Sequence, residues 1–454
     1  MRILAADHVL PISSEPIRNG AVAVDGSQII EVGLRAGLIE KFPSADVEDF
    51  GQAAILPGLV NCHAHLELTA LRGALDDVEH DFRSWLLKIN SLRAELSDDE
   101  IVQWAIAGAR EAAAAGVTCI GDIGRFGHAG VAAMKEVGLR GIVHQETEFS
   151  PDNATADEDF KNLAEKFEKL HGESTDLVRV GLSPHSPYTV GSRLFELVAQ
   201  YAIINRVPLT IHTAESADED ALMTSGEGFF TEVYEKFDVE WNSPHCTSIE
   251  YLERLGVLST RPLLAHCVTA SDSDIERIKS NGAKIAHCPK SNAKFGHGYA
   301  PFEKFLDAGI AVGLGSDSVA SNNVCDLLEE SRFAVLTARN RAHGGSTNDR
   351  SVGGSSSKTA SPPDVRLNRS RKFLTARQAL ETATLGGAKA LGLDHLIGTL
   401  DPGKRADIAV ITLDNLAQQP INDIEAGLVF SSGARSVIRN MVSGRVVYDS
   451  PAEV

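Results

Sequence analysis

Eight short apolar runs in this 454-residue chain end at, or just before, side chains that can ionise or bind a metal. His63 and His65 follow AILPGLVN (54–61), Asp122 closes GVTCIGD (116–122), and Gln145 and Glu146 close GLRGIVHQE (138–146). His185 follows VRVGLSP (178–184), and His212 lies in VPLTIHT (207–213). His266 lies in RPLLAHC (261–267), His287 in GAKIAHC (282–288), and Asp317 just beyond GIAVGLG (309–315). A single histidine at a strand end is more often a hydrogen-bonded residue than a ligand. Imidazoles and carboxylates that recur at the same place in successive units are hard to explain as packing, and the chemistry that uses both is metal binding.

The parts differ in what they say alone. His63-x-His65 puts two imidazoles on one face of an extended segment, because side chains alternate with a period of two. His212-x-x-Glu215 sets a carboxylate close to whatever His212 binds, although an acidic residue at a helix N-terminus is also favourable to the helix dipole. Asp317, in GLGSDS, reads by itself as a helix cap. Taken together, three neutral imidazoles and one carboxylate make an N₃O shell suited to a divalent ion, with Zn²⁺ the expected ion and Fe²⁺ the next candidate. His63, His65, His212 and Asp317 are the expected ligands. A catalytic ion keeps one position for water and lowers its pKa to about 7. Glu215 is then placed to relay protons, and His266 to orient the attacking oxygen or stabilise developing charge. A bridged pair of ions in such an architecture calls for a lysine late in the fourth strand. VRVGLSPHSPY contains none, so one ion is expected.

Such residues need elements that bring them together. Apolar runs separated by helix-period segments indicate parallel strands covered on both faces. Eight such units point to an α/β fold of the (β/α)₈ TIM-like type over 57–397, in preference to an open doubly wound sheet, and all strand C-termini of that fold converge on one mouth. Both ends of the chain are β-rich. ILAADHVL and AVAVDGSQIIEVG, with a hairpin at Asp25-Gly26, fall within 1–56; ADIAVITL and SVIRNMVSGRVVYD, turning at Ser443-Gly444, fall within 398–454. The economical arrangement is a small composite β-sandwich built from both termini. The Gly-, Ser- and Pro-rich segment 343–372 reads as a flexible loop, or alternatively as a lid over the barrel mouth. Thr375-x-x-Gln378 then forms a capping box opening a helix to about Leu391.

Composition removes several classes of function. Lys and Arg number 43 against 62 Asp and Glu, a net charge of −19, which argues against a nucleic-acid partner. No apolar stretch is long enough to span a membrane, and the N-terminus lacks the pattern of a signal peptide. Six scattered cysteines read as reduced thiols, so the expected compartment is cytoplasmic. No G-x-G-x-x-G opens a helix and no P-loop is present, leaving nucleotide-cofactor readings without an anchor.

PGLVNCHAHLELTALRG, GLSPHSPYT, IHTAES, LLAHC, AHCPKSNAKFGHGYAP and GLGSDSVASNN together resemble, in order, the motifs of the amidohydrolase superfamily, specifically its mononuclear aminohydrolase branch. GTLDPGKRADIAVI (398–411) is similar to the returning strand of that family's β-sandwich, so the likeness covers nearly the whole chain. It implies that His63, His65, His212 and Asp317 bind metal, that Glu215 shuttles protons, and that His266 and Asp317 handle the attacking water. It also implies that His185, in PHSPY, hydrogen-bonds a substrate heterocycle. The nearest members are adenosine-type deaminases acting on S-adenosylhomocysteine, 5′-methylthioadenosine or 6-aminodeoxyfutalosine, and HLELTALRG and HCPKSN lean towards the last group. Glu67 is then expected to hold ribose hydroxyls, and Trp85 to line the pocket.

Two features depart from the pattern. His212 and His266 lie 54 residues apart, farther than in the methylthioadenosine/adenosylhomocysteine group, and the interval could reshape the pocket. WLLKINSLRAEL has no counterpart of the acidic residue that this group carries after its Trp-Leu pair. His65-Leu66-Glu67 also matches the H-x-E of cytidine-type zinc deaminases, but their P-C-x-x-C is missing. The expected partner is a small heterocyclic molecule, and a homodimer is compatible with the likeness. The same machinery could act on guanine, cytosine or a triazine-type ring; a non-enzymatic scaffold should have lost ligands that are all present here.

Overall fold

The structure, a computed structural model, describes residues 1–343 and 373–450. Five strands come first: β1 (Arg2–Val9), β2 (Ile17–Asp25), β3 (Gln28–Leu34), β4 (Asp46–Asp49) and β5 (Ala53–Pro57). Eight follow with helices between most of them: β6 (Leu59–Ala64), β7 (Val117–Gly124), β8 (Arg140–Glu146), β9 (Val178–Ser183), β10 (Thr210–Thr213), β11 (Leu263–His266), β12 (Lys284–His287) and β13 (Val312–Leu314). Three close the chain: β14 (Ile408–Thr412), β15 (Val437–Val442) and β16 (Arg445–Asp449).

The first five and last three strands share one sheet, in the order β16-β15-β14-β5-β1-β2-β3, with β4 pairing on β1. The hairpin expected at Asp25-Gly26 pairs Asp25 with Gln28, and that at Ser443-Gly444 pairs Val442 with Arg445. Ser443 and Gly444 both have positive φ, 47° and 74°, the mirror-image turn that matches strand twist. Both faces of β1 are buried. Leu4, Ala6 and Val9 pack with Val22, Val24 and Ile408, whereas Ile3 and Ala5 pack with Ala21, Ala23 and Leu38.

The middle strands form two parallel sheets, β6-β7-β8-β9 and β10-β11-β12-β13. Parallel bridges span both seams: Leu182 pairs with Leu209, and Ala64 with Asp317. The Asp317 N–H donates to the His63 carbonyl at 3.0 Å. The first apolar run divides into two strands. It breaks at Gly58, where a Cβ would lie 2.1 Å from the Thr118 side chain, so β5 joins the terminal sheet and β6 the parallel one.

The Thr375 capping box is formed, with Thr375 and Gln378 bonding each other's backbone. The helical run that follows comprises Ala376–Glu381, a π turn at Thr382–Gly386, and Gly387–Ala390. Glycines let it press on the seam between β6 and β13: a Cβ on Gly386 would lie 2.3 Å from the Val312 carbonyl and one on Gly387 2.8 Å from Val60. Residue 343 ends the helix Leu327–His343, and the rest of the expected loop 343–372 lies outside the described residues. The two β systems are tied by a buried ion pair, with Arg140 Nε 2.8 Å from Asp407 Oδ2, and by Asn440 Nδ2 donating to the carbonyls of Ala113 and Val117. All six cysteines are buried free thiols. Among the described residues, no helix is long and apolar enough to cross a membrane.

Candidate metal centre and substrate cavity

Strand geometry sets the first pair of imidazoles. His63 lies in β6 and His65 one residue past its end, so the rings share a side, with centroids 5.1 Å apart. Asp317 reaches them across the seam. Its φ of 55° turns the chain sharply after β13, and its Oδ1 lies 3.4 Å from Nε2 of both His63 and His65. Its other oxygen accepts from Ser291 Oγ at 2.6 Å and Ser321 Oγ at 2.8 Å, which fixes the carboxylate's direction.

His212, in β10, brings the third ring. Its Nδ1 lies 3.2 Å from the His185 carbonyl, which can only accept, so Nδ1 carries the proton and Nε2 a lone pair. That Nε2 lies 3.2 Å from Nε2 of His65. Ligand bonds of about 2.0–2.1 Å in a tetrahedral shell put neighbouring donors about 3.3 Å apart. The three separations of 3.2, 3.4 and 3.4 Å therefore fit atoms arranged around one small ion. Candidate ligand atoms of His63, His212, His266 and Asp317 also lie within 4.8 Å of one another. His63 is fully buried, and neither of its ring nitrogens has a hydrogen-bond partner. Leaving such atoms unmet costs about 1–3 kcal/mol each, a deficit that a cation at Nε2 would reduce. The residues fit a divalent ion.

Electrostatics favours the same protonation states. Burial lowers the pKa of His63 to about 4 and those of His212 and His185 well below the usual histidine range, which keeps their lone pairs free. Burial opposes ionisation of Asp317, but the His63 contact and the field of His266 outweigh it and hold the carboxyl well below the ordinary value. For His266, burial favours the neutral ring, yet the charges of Glu215 and Asp317 prevail and raise its pKa. Its Nδ1 is 2.9 Å from Asn292 Oδ1, and its Nε2 points towards Glu215, 3.6 Å from Oε1.

Glu215 is turned into the site by its own loop. Ala214 has a φ of 51°, and the Glu219 carboxylate accepts the N–H groups of Ala214 and Glu215, both at 2.8 Å. Tyr188 donates its hydroxyl to Glu215 Oε2 at 3.1 Å, and His297 Nε2 is 3.9 Å from Oε1. Sequence spacing did not single out Tyr188, Asn292, His297, Ser291 or Glu219. Tyr188 lies within the PHSPY motif, and Ser291, Asn292 and His297 within AHCPKSNAKFGHGYAP, so those two motifs held a signal; Glu219 had none beyond residue type.

A cavity of about 410 Å³ opens above this cluster, with His65, His185, His212, Glu215, His266 and Asp317 on its wall. His185 Nδ1 sits between the hydroxyls of Ser186 and Thr189, at 2.9 and 2.8 Å, leaving Nε2 as its uncommitted nitrogen. Trp85 also lines the cavity, edge-on to Phe295 at 4.9 Å. Glu67 does not. It is 3% exposed, its Oε2 accepts the Phe126 N–H at 2.8 Å, and its Oε1 is 3.3 Å from Arg93, which stands between it and the cavity wall. The expected ribose contact of Glu67 thus has no support in its placement; Arg93, Arg125 and Glu146 are the charged groups on the wall beyond the cluster. Asp122 and His287 also lie off it: Asp122 accepts the Leu66 N–H at 2.8 Å, and His287 stacks on Phe302. The long interval between His212 and His266 contributes Phe229, Phe230, Val233 and Phe237 to the cavity wall.

Comparison with known proteins adds to this geometry. Residues 54–447 match the amidohydrolase family. Over 440 residues, 97% of this chain and 92% of the other, the sequence is 30% identical to the 5-methylthioadenosine/S-adenosylhomocysteine deaminase of Moorella thermoacetica. Identity to the 5′-deoxyadenosine deaminase of Methanothermobacter thermautotrophicus is 28% over 432 residues, covering 95% of this chain and 90% of that one. Among solved structures, an adenosine deaminase from Xanthomonas campestris with bound zinc superposes with a TM-score of 0.80 at 26% identity, covering 98% of this chain and 92% of that one.

Proposed function

The chain belongs to the amidohydrolase family, and from this premise we propose that it is a metal-dependent hydrolase that deaminates a 6-aminopurine nucleoside-type substrate and releases ammonia. The observation that carries the reading is the meeting of His65 Nε2, His212 Nε2 and Asp317 Oδ1 at 3.2–3.4 Å beside Glu215, on the floor of a nucleoside-sized cavity. Full-length similarity to proteins named as adenosine-type deaminases supports it. Eight parallel strands bridged at both seams are read as one closed (β/α)₈ barrel over 57–397, with 1–56 and 398–454 as a composite β-domain.

His63, His65, His212 and Asp317 would hold a single divalent ion, Zn²⁺ before Fe²⁺. When bound, such an ion supplies Lewis acidity that brings an attacking water's pKa to about 7. Glu215 takes a proton from that water and delivers it to the ring nitrogen next to the amino-bearing carbon, with Tyr188 holding the carboxylate in place. A C–O bond forms as the ring C=N opens. His266, with its raised pKa and its Nδ1 at Asn292, steadies the oxygen that gains charge. The second proton of the water passes through Glu215 or Asp317 to the amino group, the C–N bond breaks, and ammonia leaves. His185 Nε2 is available to hydrogen-bond the heterocycle, and Trp85 packs on its wall.

Ammonia release from adenosine, 5′-deoxyadenosine, methylthioadenosine, adenosylhomocysteine, aminodeoxyfutalosine, guanine and cytosine tests the reading. Turnover of one or more of the 6-aminopurine nucleosides is expected. Turnover confined to guanine or cytosine would replace the proposed substrate class.

A further inference from the structure

Away from its floor, the cavity is lined by two groups of apolar side chains. One side carries Phe82 and Trp85 of the helix Phe82–Ala94, with Phe295 packed 4.9 Å from Trp85. The other carries Phe229, Phe230 and Val233 of the helix Phe229–Lys236, followed by Phe237, which rests 5.3 Å from Phe149. Phe230 stacks on Tyr188 at 4.3 Å, so this side runs without a break from the rim to the residue that holds Glu215. At the rim Leu87 and Phe237 remain 61% and 60% exposed. Large apolar side chains left open beside a functional cleft mark a surface that a ligand covers.

The charged groups on the wall are already compensated. Arg93 Nη1 is 3.3 Å from Glu67, Arg125 Nε is 3.7 Å from Glu146, and Arg125 Nη1 is 3.5 Å from Glu148. Two guanidiniums face three carboxylates, so no uncommitted cation is left for an anionic ligand tail, and desolvating that tail against aromatic rings would be costly.

Resting on the deaminase reading, we propose that the cavity selects substrates whose end remote from the amino-bearing ring is an uncharged apolar or aryl group, held between the Trp85 side and the Phe229–Phe237 side. An amino-acid-like, doubly charged end is disfavoured. The aromatic helix responsible, Phe229–Lys236, lies in the interval between His212 and His266.

The test compares three nucleosides identical at the reacting ring and bearing a 5′-benzylthio, 5′-methylthio or 5′-homocysteinyl group. In the wild-type enzyme, kcat/KM for the benzylthio and methylthio compounds should exceed that for the zwitterion by ~10-fold or more, chiefly through KM. In the Phe229→Ala/Phe237→Ala double variant that ratio should collapse towards unity; Leu87→Glu, at an exposed rim position, should shrink it independently. Tryptophan fluorescence, with Trp85 on the wall, reports binding of the benzylthio compound without relying on turnover. Equal use of all three compounds, or a ratio unmoved by both variants, overturns the proposal. A wild-type enzyme that binds the benzylthio compound selectively but deaminates none would sink the deaminase reading and leave the selectivity standing.

Discussion

Glu215 shows how several weak constraints place one reactive group. Its carboxylate contacts Tyr188 and faces His266, and its backbone is pinned by Glu219, whose own pKa burial pushes up to about 7. Replacing Glu215 by Gln keeps the shape and removes the proton carrier. The variant should bind metal at the wild-type stoichiometry while kcat falls by ~10² or more; elemental analysis beside steady-state rates checks this, and unchanged turnover would remove Glu215 from the mechanism. His212→Ala should do the reverse to the metal, reducing its content well below one ion per chain, because the N₃O shell loses one of its four donors. Glu67 gives the contrary lesson: its position after a strand-end histidine is suggestive, but its oxygens are taken by Phe126 and Arg93.

At the scale of elements, the helix Leu327–His343 braces the short helices Pro289–Lys294 and Val319–Asn322, which carry Ser291 and Ser321, the two partners of Asp317. The link is Glu330, fully buried, whose oxygens accept the Asn322 side-chain amide at 2.6 Å and the Lys290 N–H at 3.3 Å. Burial raises its pKa to about 8. Above the unfolded-state value of about 4.3 the unfolded chain has released this proton while the folded one retains it, so stability contributed by Glu330 falls as pH rises through the interval up to about 8. Glu330→Gln should therefore raise Tm at pH 8 relative to wild type and flatten its decline between pH 5 and pH 8. Thermal melts at both values decide it; a slope identical to wild type would show that Glu330 does not titrate there.

For the molecule as a whole, the question is what joins the terminal sheet to the parallel strands. The Arg140–Asp407 pair is nearly inaccessible to solvent, and Asp407 also accepts the Ser443 N–H at 2.8 Å. Removing one partner of a buried ion pair strands the other charge at a cost of about 3–5 kcal/mol. Asp407→Ala should lower Tm by several degrees while folded protein keeps its kcat; a drop in kcat at full folding would mean that the sheet also shapes the cavity. Chelation should lower Tm too, and added Zn²⁺ should restore it in a concentration-dependent way, because an ion that binds only the folded state stabilises it by mass action. A Tm indifferent to both treatments would argue against a metal at this centre.

Much of this was legible from residue order. The eight apolar runs, both termini-derived hairpins and the Thr375 capping box follow from local chemistry: alternation, turn residues and side-chain capping act over a few residues and leave a mark wherever they occur. Strand-end positions likewise marked His63, His65, His212, His266 and Asp317 as companions. Only the tertiary structure decided that Gly58 splits the first run, that Glu67 lies behind Arg93, and that Tyr188, Asn292 and Ser291 support the reactive groups. It also decided that the helix Phe229–Lys236 supplies one side of the cavity. These facts rest on distances between residues far apart in the chain, set by how strands and helices pack in space, and no local pattern of residue types encodes such distances.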